Sequence, residues 1–495
     1  MTALASSPPI GREPEYSGGY APSPAGPADD EPLTAPPPGL GLSARRQGLR
    51  FLGRPMSYAI GGHRRFGDVW TMRIPVHTGA FVVSCHPDHL ASLLKAKPED
   101  APSVTGDSPL REFVGPNSVL TSNGARHMRQ RKLLLPAFHG EAVQRYVQTI
   151  ADTAEAEIDR WQVGRPFALA PRMQAVTLAV IMRGVFGIEA SAGSGTPEDR
   201  LRAAVRRMLA FSTTWIYSLL EIPNAGHARP PLPVRALLAD VHRWMDEVIA
   251  VRRAARAGSG RDRDDVLSLL LSARDDEGRP LTDDELRDEL MALLLAGHET
   301  TANSLAWAFE RLLRTPAAYD RLRDEVRSGD RARTDAFVEA TIHETMRDRP
   351  VIPMIVRMVK RPWRLGEYVV AADTQVAISI LGLHHRDDIY PKPQVFEPER
   401  FLGRKQPDDP GDEHSGEAGC RAFIKPGTYT WVPFGGGIRR CLGASLAMAE
   451  QRLVLEAIAR RTDLAVDDPR PESPRMRNVT MIPGRGCRVT VRRRR

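Results

Sequence analysis

Phe434-Gly-Gly-Gly-Ile-Arg-Arg-Cys441-Leu-Gly443 carries more chemistry than any other stretch of this chain. A single cysteine follows a glycine-rich turn, and the residues after it, Ala444 to Arg461, read as a long helix. At the mouth of such a helix, unpaired backbone N–H groups and the macrodipole favour an anion, so Cys441 is expected to ionise readily. Gly435, Gly436, Gly437 and Gly443 remove side chains where backbone would otherwise collide with something flat lying against it. Arg439 adds a fixed positive charge close by. Read alone, the string also fits a glycine turn, a helix cap and a buried structural cysteine.

One thiolate with no partner cysteine nearby suits an axial haem ligand better than a closed zinc or iron–sulfur site. Taken together, Phe434, Gly435, Gly437, Arg439, Cys441 and Gly443 resemble the cysteine-ligand loop of cytochrome P-450 at every fixed position. The resemblance implies that Cys441 supplies the axial thiolate to the iron of haem b. It also implies that Phe434 packs near the sulfur, that Gly443 lies against the cofactor, and that Arg439 pairs with a haem propionate.

Upstream, Thr282-Asp-Asp-Glu285 is a capping box opening a helix that should run to about Arg314, where Thr315-Pro316 stops it. Such a helix is roughly 48 Å long, enough to cross the whole molecule. Its middle reads Ala296-Gly297-His298-Glu299-Thr300-Thr301. Glycine in a helix interior costs about 1 kcal/mol relative to alanine, and adjacent β-branched residues add to that. Either a site or a simple kink accounts for the local cost. Small Ala296 and Gly297 would admit a flat cofactor and a diatomic ligand. The pattern resembles the family's oxygen-binding helix, which implies that Thr300 donates a hydrogen bond on the oxygen side and Glu299 relays protons from solvent. His298 receives no role.

Three further elements agree in order and spacing. His127 and Arg131 lie i, i+4 on one helical face. They resemble the family's propionate-binding pair, and two cations suit a dicarboxylate edge. Glu344 and Arg347 share a face at i, i+3, and Pro398-Glu399-Arg400-Phe401 follows in the usual order; the resemblance makes Glu344, Arg347 and Arg400 a structural network behind the cysteine loop. Between them Val351 to Arg357 is an apolar extended run, and Arg357 takes the place of another propionate ligand.

The chain has 495 residues and a formal charge of +8, part of it from the run Arg492–Arg495, read as a solvated basic tail and not as a nucleic-acid interface. Four scattered cysteines, Cys85, Cys420, Cys441 and Cys487, fit a reducing cytoplasm, with Cys487 as a core residue. The longest apolar run, near Met291 to Ala296, is too short to cross a bilayer, and a secretory signal is not expected. Residues 1–44, rich in Pro, Gly and Ala, are expected to form a disordered leader before one haem-binding domain over residues 45–491.

Within that domain, Asp68–Pro75 and Gly79–Ser84 read as strands, and His89–Ala96 as helix. Lys97–Leu120 reads as a functional loop. Helical periodicity marks Glu141–Trp161, Ala168–Phe186, Pro197–Trp215, Val234–Arg256 and Asp264–Ala273. Tyr368–Val370 and Thr374–Ile380 are expected in the same sheet as Val351–Arg357. Asn478–Gly484 and Cys487–Val491 are expected to pair as a closing hairpin whose tip, near Met481, touches substrate. Phe211–Ile222 is a candidate cavity roof, and residues 403–426 a surface meander.

The expected fold is mainly α with a small β region, haem lying between the long helix and the cysteine loop. The expected activity is insertion of one atom of dioxygen into an apolar small molecule by hydroxylation or epoxidation. No Gly-x-Gly-x-x-Gly fingerprint is present, so electrons should come from a separate ferredoxin and ferredoxin reductase, and a monomer is expected. Alternatives are a haem-thiolate peroxygenase or isomerase, whose members often lack the acid–Thr pair, and a non-catalytic haem sensor.

Overall fold

The computed structural model describes residues 20–74, 80–107, 110–138, 140–188, 195–212, 230–259, 263–404 and 421–495. Its axis is the helix Asp283–Leu313, opened by the capping box: Thr282 Oγ1 accepts from the Glu285 N–H at 3.2 Å, and the Glu285 carboxylate accepts from the Thr282 N–H. Three acidic residues in the first turn complement the helix dipole. Leu290, Met291, Leu294, Leu305, Trp307 and Phe309 are buried on several sides at once, which a helix tolerates only at the centre of a large core.

Leu169–Phe186 lies along this central helix at close range. A Cβ on Gly297 would stand 2.6 Å from Ile181 Cδ1, and Thr177 Oγ1 donates to the His298 carbonyl at 2.6 Å. Glu141–Asp159 and Ala444–Arg461 complete the central packing, and Pro197–Ser212 packs with Leu232–Ser259 beside it. The roof segment proposed at Phe211–Ile222 lies mostly outside the described residues, as does most of the meander at 403–426.

The β region forms several small sheets. In the largest, Val69–Arg73 pairs antiparallel with Ala80–Ser84, which runs parallel to Thr374–Ser379, itself antiparallel to Met354–Val359. Tyr368–Val370 belongs elsewhere: it pairs with Trp363–Leu365, which pairs in turn with Ala25–Pro27. The two C-terminal runs also separate. Pro474–Arg477 pairs with Thr480–Pro483, whereas Arg488–Arg494 pairs with Thr462–Val466 and Phe167–Ala168. Met481 is fully buried and its carbonyl accepts from Trp307 Nε1 at 3.1 Å, so it is a core residue and not an open tip.

Among the described residues, 20–43 and the C-terminal run are more structured than composition implies. Residues 20–43 run as a strap, with Ser23 N–H donating to Asp88 and Arg361 and Arg364 pairing with Asp29 and Glu31. Low hydrophobicity is offset here by strand pairing and ion pairs to the underlying sheet. Arg492–Arg494 sit in the last strand, and Arg494 donates to the Asp159 carbonyl and carboxylate. The basic run is thus part of the fold.

Glu344 and Arg347, on the helix Arg331–Asp348, are wholly buried. Arg347 Nε and Nη2 donate to the two Glu344 oxygens at 2.6 and 2.8 Å, and its Nη1 reaches the His384 and Pro393 carbonyls. Arg400 Nε stands 3.4 Å from Glu344 Oε2, and the Glu397 N–H donates to Oε1. Burial works against the charge on Arg347, but Glu344 beside it holds the guanidinium above its usual value. The same burial pushes the Glu344 carboxyl up. With a bidentate guanidinium, a second arginine and a backbone N–H on its oxygens, the pair stays ionised.

Removing one partner leaves an uncompensated buried charge. Arg347→Ala should therefore lower stability by about 3–5 kcal/mol in urea unfolding followed by circular dichroism; a loss under about 1 kcal/mol would show that the network carries little.

Burial also keeps several groups neutral. His89, His298 and His343 are pushed down to about 4 and His384 to about 3, from about 6.5 in an open chain. Glu289 and Glu450 are pushed up to about 8 by the same cause. As pH falls below about 6.5, the unfolded chain takes up at least five protons that the folded chain refuses, His127 being pushed down to about 4 as well, while the folded chain alone still holds two on the glutamates. Each net proton is worth about 1.4 kcal/mol per pH unit. The thermal midpoint should peak near pH 6.5 and fall towards both pH 5 and pH 8; a midpoint rising steadily from 6.5 to 5 would contradict these protonation states.

Candidate functional site

The cysteine turn is built by backbone that only glycine adopts easily. Gly435 and Gly437 have φ of +66° and +60°, and a Cβ on Gly437 would lie 2.4 Å from the Leu94 carbonyl oxygen. A Cβ on Gly436 would meet Leu94 Cδ1 at 2.6 Å. The Cys441 N–H donates to the Phe434 carbonyl at 2.9 Å, closing the turn, and Gly443 caps the helix Ala444–Arg461. Gly443 differs from the others: its φ is −85°, and a Cβ would meet nothing within 4 Å. The chain itself gives no reason for glycine there.

Cys441 is exposed, yet protein atoms fill most of the space around it, so its thiol opens onto an internal gap. Burial pushes this thiol up; the Gly443 N–H, Arg131 and Arg440 oppose that shift without overcoming it. The helix mouth therefore does not ionise Cys441 unaided, contrary to the expectation from sequence, because desolvation exceeds what one N–H and two nearby guanidiniums return. Coordination to a metal removes the proton outright.

Four basic side chains converge beside this gap. His127 and Arg131 sit on the helix Gly124–Leu134, Arg357 on the strand Met354–Val359, and Arg439 in the cysteine turn. Arg439 Nη1 donates to the Val119 carbonyl at 3.1 Å and Nη2 to Asn123 Oδ1 at 2.5 Å. Arg131 Nη1 donates to the Arg440 carbonyl at 2.8 Å, and Arg357 Nη1 to the Val356 carbonyl at 3.1 Å.

Burial pushes Arg357 down to about 10; burial, then Arg357 and Arg131, does the same to Arg439. His127 is pushed down to about 4 by burial, then by Arg439, Arg131 and Arg357. Its Nδ1 is buried without a partner, and none of the three arginines pairs with a carboxylate among the described residues. Like charges gathered without a counter-ion fit an anionic ligand with more than one acceptor oxygen, as the two propionates of a haem would be.

The central helix forms the other wall. Ala296 is exposed although Leu294 and Ala302 around it are wholly buried. Thr300 Oγ1 donates to the Ala296 carbonyl at 2.7 Å, and one turn on Ser304 Oγ donates to Gln451 Oε1 of the cysteine-side helix at 2.6 Å. Residues i, i+4 and i+8 share a face, so the side of the helix that shows Ala296 and Thr300 is the side that reaches the cysteine helix. Gly297, by contrast, is required by its packing on Ile181. Glu299 turns away towards the hairpin, where its Oε1 accepts from Arg477 Nε at 2.8 Å and Thr480 Oγ1 at 3.2 Å.

Other supports carried no signal in the sequence. Trp431 stacks on His343 at 4.1 Å and donates to its carbonyl, and Val432 N–H donates to His384 Nε2, tying the cysteine loop to the Glu344–Arg347 helix. Asp288 and Glu289 on the central helix accept from the Asn117 and Val119 N–H groups and fix the loop that Arg439 grips. A hollow of about 550 Å³ lined by Arg253, Arg256, Leu270 and Leu271 shares no residue with this cluster and is not part of it.

The two kinds of glycine should respond differently. Gly437→Ala should lower the melting temperature of the cofactor-free chain, because Leu94 backbone must move. Gly443→Ala should leave that temperature almost unchanged and weaken haem uptake in a spectroscopic titration. Equal loss of stability in both would remove the argument for a ligand beside Gly443.

The sequence profile of the cytochrome P450 family matches residues 46–487. Cytochrome P450 137 of Mycobacterium tuberculosis (strain CDC 1551 / Oshkosh) is 34% identical over 468 residues, covering 92% of this chain and 91% of that one. Cytochrome P450 135B1 of Mycobacterium bovis is 33% identical over 459 residues, with 92% and 91% covered. Among solved structures, retinoic acid bound cyanobacterial CYP120A1 superposes with a TM-score of 0.71 at 20% identity, covering 94% of this chain and 100% of that one. The haem domain of cytochrome P450DA gives 0.71 at 24% identity, with 94% and 99% covered. No helix among the described residues is long and apolar enough to cross a membrane. The chain belongs to the cytochrome P450 family of haem-dependent monooxygenases.

Proposed function

We propose that this protein inserts one atom of dioxygen into an apolar organic substrate, by hydroxylation or epoxidation, with Cys441 as the axial ligand of haem b and electrons from a ferredoxin and its reductase. The observation that carries the reading is the grouping of the Cys441 thiol with four basic side chains that have no carboxylate partner among the described residues. When bound, haem supplies the oxygen and redox chemistry, and a thiolate ligand favours O–O cleavage.

The chain's own residues then have separable tasks. His127, Arg131, Arg357 and Arg439 hold the propionate edge. Phe434 packs beside the Cys441 loop, and Gly443 and Ala296 leave room on the two faces. Thr300 Oγ1, which rests on the Ala296 carbonyl, has to rotate away to hold a proton on the oxygen side. Glu299 moves a proton inward only by leaving Arg477, and its partly exposed carboxylate supports a role in proton exchange with solvent. Retention of this acid–Thr pair supports dioxygen use over a peroxygenase or isomerase. Exposed Arg126 and Arg440, near the cysteine loop, suit an acidic electron donor.

Cys441→Ala should abolish the thiolate-type absorption of the reduced carbon monoxide complex. Thr300→Ala should retain that absorption while diverting most reducing equivalents to peroxide, read as hydrogen peroxide formed per NADPH consumed. A Thr300→Ala enzyme coupled as tightly as wild type would end the proton assignment; a histidine-type spectrum in the wild type would end the whole reading.

A further inference from the structure

Away from the haem side, three side chains of different chemistry meet at one corner of the sheet. The helix Pro55–Phe66 ends at Gly67, whose φ of +82° turns the chain so that Asp68 comes back beside His63. Cys85 follows the neighbouring strand Ala80–Ser84 and comes up from beneath. Cys85 Sγ lies 3.1 Å from His63 Nδ1 and 3.7 Å from Asp68 Oδ1, and His63 Nδ1 lies 3.4 Å from Asp68 Oδ1. Tetrahedral ligands bonded at about 2.0–2.3 Å stand roughly 3.3–3.6 Å apart, so the triangle matches one face of such a site to within a few tenths of an ångström.

Hydrogen bonds alone serve these atoms poorly. His63 Nδ1 meets two oxygen acceptors, the Gly67 carbonyl at 3.3 Å and Asp68 Oδ1, and one N–H satisfies only one well; the Cys85 thiol reaches Asp68 only at 3.7–3.8 Å. A cation accepts a lone pair from each. Thiolate, imidazole and carboxylate together are the mixed S/N/O set that a borderline-soft divalent ion takes. Two negative ligands also balance its charge.

Arg386 does not exclude this arrangement. It donates to Asp68 Oδ1 and hydrogen-bonds Cys85, while Asp388 holds it at 3.0 and 2.6 Å, so the guanidinium is already charge-paired and gives up its contact with Cys85 when the ion binds. Cys85 is 1% exposed. His63 and Asp68 are 24% and 32% exposed, which leaves a way in from solvent and room for water as fourth ligand.

We propose that His63, Asp68 and Cys85 form a zinc-type divalent-cation site that pins the end of the helix Pro55–Phe66 to the first two strands of the main sheet. Binding displaces the Cys85 thiol proton to solvent and involves no change of oxidation state. Nothing in the haem reading depends on it, and the ion would act on the stability of this corner.

The test uses tag-free, haem-loaded protein freed of loose metal with a chelator and titrated with zinc sulfate by calorimetry. One equivalent should bind to the wild type, and zinc K-edge absorption should show one sulfur at about 2.3 Å beside nitrogen and oxygen. His63→Ala and Cys85→Ala should each weaken binding by at least about tenfold with the haem spectrum unchanged. If Cys85→Ala fails to fold, His63→Ala decides, since its side chain is partly exposed. Absence of stoichiometric zinc, a zinc shell without sulfur, or His63→Ala binding as tightly as wild type would overturn the proposal.

Discussion

Three guanidiniums and an imidazole cannot share one partly desolvated region cheaply unless something negative stands among them. Each of Arg439 and His127 loses affinity for its proton partly because the others are near. In water such repulsion is screened within roughly 10 Å, but inside a protein it is felt more fully. The arrangement is therefore that of a receptor, and what it receives must carry two or more acceptor oxygens at one edge. A haem held by His127, Arg131, Arg357 and Arg439 at that edge would be oriented by them relative to Cys441.

Holding the sulfur in place falls to a second set of contacts. The Glu344–Arg347 pair does not touch the cysteine turn. It clamps the carbonyls of His384, Pro393 and Val395, and His384 in turn accepts from Val432, two residues before Phe434. Tyr390 donates to the Thr430 carbonyl from the same segment. The turn is thus fixed from behind by backbone hydrogen bonds that end on a buried ion pair. A buried pair is costly to desolvate, so its value here lies less in net stability than in allowing one geometry for the segment it holds.

Much of this was legible before any coordinates, for a physical reason. Capping chemistry, helix breakers and local spacing are short-range, so the central helix was bounded correctly by Thr282, Glu285 and Pro316, and Glu344 with Arg347 by their i, i+3 spacing. Long-range pairing was not legible. Tyr368–Val370 and the Thr374 strand are equally strand-like, and only tertiary packing assigns them to different sheets. The strap at 20–43 looked disordered because its order comes from partners more than 300 residues away, such as Arg361 and Arg364. Around the candidate site, Cys441, Thr300 and the basic residues stand out by their motifs, whereas Arg477, Asn123 and Trp431 have no local signature at all.

The middle of the central helix shows how one motif can hold two unrelated constraints. In the sequence Gly297 and Ala296 both suggest room for a cofactor, yet their surroundings differ. A side chain on Gly297 would strike Ile181, so this glycine permits close packing with Leu169–Phe186. Ala296 faces the gap, and Thr300 spends its hydroxyl on the Ala296 carbonyl. Two residues on, Thr177 donates to the His298 carbonyl from outside the helix. Hydroxyls on the Ala296 and His298 carbonyls compete with the helix's own hydrogen bonds. Ile181 and Thr177 thus both hold the face of the helix that meets Leu169–Phe186, while Ala296 and Thr300 belong to the face that meets the gap, so one short motif serves packing on one side and the candidate site on the other.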